Sequence, residues 1–250
     1  MRVIRPSALS SHDRRRSLLM ATTMLAVGVL AGQLTLIGRS TLAATGLTAS
    51  VAAIALGVGA AWLLRTMRPN RTRALSAALI TLLAPIFDDT YTLVVAPRLP
   101  VRDPRRLDGI LVGPGGIRVL TVRDWVGRYR VRGRVWEFDA GGRSGWIPCR
   151  TNPGFDAVGL AEGVARWAND AGLRDMPIRA AIAFPRRQSN IVLEEPVDEV
   201  ITSDNAPWWA NSIGRVRRLD AAGGARFIEQ LLDAGERTAV ARSISEARPS

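Results

Sequence analysis

The apolar positions of this chain are front-loaded, and their spacing changes character near residue 88. Residues 17–37 form an uncharged run of about 21 residues, close to the roughly 20 that cross a bilayer core as a helix. Residues 42–64 form a second run of similar length, and only Gly38-Arg39-Ser40-Thr41 separates the two. So short a connection predicts a helical hairpin. Arg14, Arg15 and Arg16 before it, and Arg65, Arg68, Arg71 and Arg73 after it, place both ends on the cytoplasmic side, with Arg39 alone at the far turn. Gly28 and Gly32, opposite Ala55 and Gly59, supply small residues that let two such helices approach closely. An export signal is the competing reading, because Arg15-Arg16-Ser17-Leu18-Leu19 resembles a twin-arginine motif; the second span and the basic residues after it oppose translocation. A third run, 74–87, ends at Pro85 and Phe87 and is too short to span, so it predicts a core or interfacial helix of the following domain. Were it to insert, that domain would lie outside.

From Asp88 onward the pattern becomes short apolar runs punctuated by Pro, Gly and Asp. It predicts strands near 90–96, 107–113, 117–124, 128–138, 177–184, 190–194 and 197–202. Asn152 caps a helix with Pro153 at its first position, and Phe155, Val158, Ala161, Val164 and Ala168 recur at helical spacing to about Ala171. Asp204 or Asn205 opens a short helix carrying Trp208 and Trp209, and a last helix runs from about Gly223 through Phe227, Leu231 and Leu232, fraying after Glu236. The expected fold is α/β, a mixed central sheet flanked by helices, preceded by a transmembrane helical hairpin. The expected segments are a basic cytoplasmic tail (1–16), two spans (17–64), a basic linker (65–73), a domain (74–236) and a polar tail (237–250).

Charge and composition refine this picture. The net charge is +12, and every basic residue is arginine. Residues 1–73 hold ten arginines against Asp13, so most of the excess flanks the apolar runs and signals topology, leaving only +3 for the rest. Cys149 and His12 are the sole members of their kinds, which excludes a disulfide framework, Cys/His metal sites, and Ser-His-Asp or Cys-His catalysis. Gly113-Pro114-Gly115-Gly116 lacks the spacing of a phosphate loop and reads as a hairpin turn.

Residues from about 73 to 202 resemble the nuclease-related domain called NERD, whose core is similar to the restriction-endonuclease-like PD-(D/E)xK fold. The resemblance is carried by "YTLVVAPRLPV", "LDGILVGPGGIRVLTVRDWVGRY", "GRVWEF" and "NPGFDA", with Asp108, Gly113, Pro114, Gly116, Trp125, Gly127, Trp136, Asn152 and Pro153 on the family pattern. It implies a Mg²⁺-dependent phosphodiesterase centre, in which carboxylates hold a hard cation and a Glu-x-Lys strand places ligand and cation on one face. Here Thr121 and Arg123 stand at the Glu and Lys positions. Thr121 brings no charge, and Arg123 stays protonated and cannot accept a proton from water. The family's acid on the preceding helix has no counterpart, since no Asp or Glu lies between Asp13 and Asp88. Asp108 is the remaining candidate metal ligand, with Asp124 reachable only through a bulge and Asp88 or Asp89 only from the preceding turn. Pairing of Asp108 with Arg123 or Arg106 is the alternative role.

Alternation over 127–134 puts Arg128, Arg130 and Arg132 on one strand face, followed by Arg134. With Arg123 these side chains are the expected contacts for nucleic acid or anionic headgroups, or else a solvated face paired with Glu137, Asp139 or Glu162. The expected protein is a membrane-anchored cytoplasmic NERD-like domain without catalysis, binding nucleic acid or a protein partner near the membrane. A metal-dependent nuclease and a purely structural membrane protein are the rival readings. No small-molecule cofactor is expected, and Mg²⁺ only if the nuclease reading holds.

Overall fold

The computed structural model describes residues 1–6, 10–37, 42–67, 71–97, 99, 107–142, 144–186, 188–215 and 218–247, with side chains at several helix ends left aside. The chain forms two compact units, Ser7–Asn70 and a second made of Met1–Pro6 with Arg71–Ser250. Arg39, Arg68 and Arg106, to which roles were assigned above, lie outside the described residues.

The first unit is a pair of helices, α1 (Ser10–Ile37) and α2 (Leu42–Met67). Ideal Cβ atoms at Gly28 and Gly59 would lie 2.7 Å from Leu56 Cγ and 2.9 Å from Leu25 Cγ. Contact of 28 with 56 and of 59 with 25 makes the helices antiparallel, packed where glycine leaves room for a leucine. Gly32, expected at the same seam, has open space around its Cβ position. Thr22, Thr23 and Ser50 donate their hydroxyls to carbonyls one turn back, so these three groups are satisfied within their own helices. Among the described residues, one helical stretch, Gly46–Leu64, is long and apolar enough to cross a membrane; Leu18–Leu34 is shorter. The expectation of two spans of equal standing is therefore met for one.

The second unit holds two sheets. The larger has the order β1 (Arg2–Ile4), β2 (Thr92–Val95), β3 (Gly109–Gly113), β4 (Gly116–Val122), β8 (Ile178–Phe184), β10 (Glu199–Thr202). Strands β2, β3 and β4 form an antiparallel meander, whereas β1 on β2, β8 on β4 and β10 on β8 are parallel. One face is covered by α3 (Arg71–Leu83) and α5 (Ala206–Gly214), through Leu75, Leu79, Leu83, Trp209 and Ile213. The other is covered by α4 (Pro153–Asp170) and α6 (Ala221–Ala247), through Ala161, Val164, Phe227 and Leu231. The smaller sheet, β7 (Trp146–Pro148), β6 (Val135–Asp139), β5 (Gly127–Arg132), β9 (Ser189–Glu194), shares a core with β8 and β10 through Val131, Trp136, Ile182, Phe184 and Val200. A mixed α/β architecture with sheets flanked by helices results.

Several expectations need correction. The segment 1–16 is not a plain tail: Arg2–Ile4 pairs in register with Thr92–Val94 at the edge of the main sheet. Three residues are too few to carry a periodicity. The strand expected over 128–138 is a hairpin, because Gly133 takes φ +58°, a left-handed conformation that suits glycine and reverses the chain. Strand β7 was not expected, α6 continues to Ala247, and α2 and α3 extend into both ends of the expected linker 65–73. The Gly113–Gly116 turn closes the β3–β4 hairpin as expected. Gly113 is required there for space, since a Cβ would sit 2.1 Å from the Tyr91 ring.

Candidate functional site

Strand parity brings the family-pattern residues together. Ile110 and Val112 of β3, with Ile117 and Val119 of β4, point to the α4/α6 face, so Asp108, Thr121 and Arg123 at the strand ends point there too. The residues implied by the resemblance thus share one face, but Asp108 engages the backbone and Arg123 an acid of α4. Asp108 Oδ2 accepts the Val122 amide at 2.7 Å. Burial pushes the Asp108 carboxyl above the usual carboxylate range, opposed by that amide and by the nearby Arg123 guanidinium. Arg123 does not pair with Asp108; its Nη2 donates to Asp156 Oδ2 of α4 at 2.8 Å. Asp156 was missed at the sequence level, although its place in the first turn of a helix capped by Asn152 marked it as an acid near a positive helix end.

Thr121 Oγ1 and Arg123 Nε are buried without a hydrogen-bond partner. This donor set does not fit a hard divalent cation. It offers Asp108, a desolvated carboxylate with an oxygen already hydrogen-bonded, Asp156 already paired with Arg123, a neutral hydroxyl and a fixed positive charge. Among the described residues no group of three His, Cys, Asp or Glu side chains converges. Asp88 accepts from Thr90, and Asp89 from the Met1 ammonium.

The arginine ladder lies on one face of the smaller sheet, as alternation requires, and acids stand beside it. Arg130 pairs with Glu137 at 2.6 Å, Arg132 with Glu194 at 3.0 Å and Arg128 with Asp139 at 3.4 Å. Of the acids proposed as partners, Glu137 and Asp139 serve; Glu194, brought alongside by the parallel β5–β9 pairing, stands where Glu162 was expected. Trp146 of β7 lies under both Arg128 and Arg130, with guanidinium carbons 5.4 and 4.7 Å from the ring centroid. Three arginines and three carboxylates leave this cluster with no net charge. Arg134 follows in the turn and is exposed.

A second polar cluster was not expected at all. Arg118, 4% exposed in the middle of β4, donates to Glu199 Oε2 at 2.8 Å and to the Gly115 carbonyl, and Trp209 Nε1 donates to the same Glu199 oxygen. Its only sequence signal was a charge inside the apolar run "GIRVLTV". Nearby, a cleft of about 330 Å³ is lined by Arg134, Asn152, Phe155, Val158, Val197 and Asp198 among others. Phe155 is 68% exposed at its mouth. Trp209 is core, whereas Trp208 is on the surface.

Comparison with family models, with curated proteins and with solved structures returned no significant match.

Proposed function

We propose that this chain is a membrane-anchored, non-hydrolytic binding protein built on a NERD-like, restriction-endonuclease-like domain that faces the cytoplasm. The observation that carries this reading is the Arg123–Asp156 ion pair, which, with Asp108 held on the Val122 amide, engages the charged groups of the cradle with partners from the fold itself. The order α3, meander β2–β3–β4, α4, parallel β8 supports the scaffold assignment, since it is the order in which the quoted motifs fall.

Two membrane crossings are supported by parity. Residues 1–6 and 71–250 belong to one body joined through β1 and β2, so the chain between them leaves that body and returns to it. That pairing favours an even number of crossings. If Gly46–Leu64 spans, α1 spans as well. The arginines at both ends orient the hairpin with its termini in the cytoplasm.

The ligand class favoured is a protein. The ladder that suggested nucleic acid is neutralised by Glu137, Asp139 and Glu194, whereas the cleft beside α4 is lined by the exposed Phe155 together with Arg134, Arg179, Asp198 and Glu199. Purified full-length protein with Mg²⁺ or Mn²⁺ is expected to leave DNA and RNA intact; cleavage that disappears in Asp108→Ala would overturn the reading. Salt-sensitive nucleic-acid binding that disappears on replacing Arg128, Arg130 and Arg132 by Glu would return the ligand to that class.

A further inference from the structure

The two sheets have four edges, and three carry a visible safeguard against pairing with another chain. Strand β1 is only three residues long, and β7 is three residues ending in Pro148. On β10, the Asn205 side chain imitates a neighbouring strand: its Oδ1 accepts the Thr202 amide at 2.7 Å and its Nδ2 donates to the Val200 carbonyl at 2.8 Å. Strand β9 (Ser189–Glu194) has no such device. It is six residues long, ends the smaller sheet, and among the described residues pairs only with β5.

The direction of its outward groups follows from two bonds. Gly127 N donates to Gln188 O and Gly133 N to Glu194 O, so the even-numbered residues of β9 face β5. Backbone groups of Ser189, Ile191 and Leu193 therefore face away. The Ser189 amide is engaged by the Arg186 carbonyl, which among the described residues leaves two donors and three acceptors on the outer edge.

The segment is also self-complementary. It reads "RRQSNIVLEE", two positive residues at one end, two negative at the other, and an uncharged centre. Antiparallel pairing with an identical strand sets the arginine end of each copy beside the glutamate end of the other. With Ile191 on the two-fold axis, Ile191 faces Ile191 and Ser189 faces Leu193. Each Ile191 amide then reaches the other Ile191 carbonyl, and each Leu193 amide the Ser189 carbonyl. Side chains keep their faces in this register, so Ile191 and Leu193 remain on the core side and Asn190, Val192 and Glu194 on the outer side.

We infer that β9 is a homodimerisation edge: two copies of this chain join antiparallel through Ser189–Glu194, merging two four-stranded sheets into one of eight. Isologous contact of one patch with itself is the geometry a two-fold dimer requires. The inference stands apart from the ligand reading above.

Sedimentation of the full-length protein in detergent micelles tests it. Ile191→Pro removes the outward amide at the axis while leaving the β5 ladder intact, and is expected to weaken the dimer by about tenfold or more. Glu195→Arg alone is expected to weaken it by about threefold to tenfold, and combination with Arg187→Glu, whose position this register sets opposite 195, to return it to within about threefold of the starting affinity, which keeps the test valid if the proline variant misfolds. A monomeric wild-type protein would overturn the inference. So would a dimer indifferent to all three variants, which would place the contact elsewhere, for instance between hairpins.

Discussion

The helical hairpin and the α/β unit solve opposite problems with the same residues. In the hairpin, Gly28 and Gly59 make room for Leu56 and Leu25 at the seam while other large apolar side chains lie outside: Leu47 and Ile54 are 69% and 66% exposed. In the α/β unit, leucine, isoleucine and valine fill the two faces of the main sheet, and Gly113 opens room for the Tyr91 ring within that core. Water rewards burying apolar surface, so the α/β unit turns its apolar groups inward. Two helices cannot do this for their whole circumference; Gly46–Leu64 is long and apolar enough to cross a membrane, and under the membrane anchoring proposed above this exterior meets an apolar solvent. The hairpin packs by close approach and internally satisfied hydroxyls, the α/β unit by volume.

The largest expected break in this contrast comes from a charge on the hairpin's outer surface. Ile54→Lys, near the middle of Gly46–Leu64, is expected to cost about 3 kcal/mol of insertion free energy and to shift the protein out of alkali-washed membranes. A variant that stays in those membranes would remove the lipid reading of the exposed leucines. Next in size is Gly113→Ala, whose added methyl meets the Tyr91 ring and is expected to destabilise the α/β unit by about 1–3 kcal/mol in denaturant titration. Gly32→Ala in the hairpin meets open space and is expected to change stability by less than about 0.5 kcal/mol, so equal losses from both would contradict the packing described.

Asp108 contributes an effect that depends on pH. Its folded-state carboxyl lies above the ordinary range because of burial, so the proton is held more tightly in the folded chain than in the unfolded one. The associated stability is complete below the ordinary carboxylate range and is lost as pH rises through the folded value. Asp108→Asn keeps an oxygen for the Val122 amide and has no proton to lose. Its melting curve is therefore expected to lack that fall, with a gap from wild type that opens by at most about 1.4 kcal/mol per pH unit and then levels off. Parallel pH profiles would mean that Asp108 is not desolvated.

Residue spacing alone was enough to place α4 with its Asn152 cap, the β3–β4 hairpin and the one-sided arginine ladder, because each depends on neighbours within a few positions. It was also enough to mark where apolar surface exceeds what a domain of this size folds away. What those residues do was decided at long range. Arg123 finds Asp156 33 positions on, Arg132 finds Glu194 62 positions on, and Arg118 finds Glu199 81 positions on. A guanidinium reads identically in the sequence whether it meets a phosphate, a headgroup or an internal carboxylate. Only the pairing of strands determines which acid stands opposite, and that pairing changed a basic ladder into a neutral one. The strand Arg2–Ile4 makes the same point at the start of the chain, since three residues carry no pattern of their own and acquire a role only from the edge of β2.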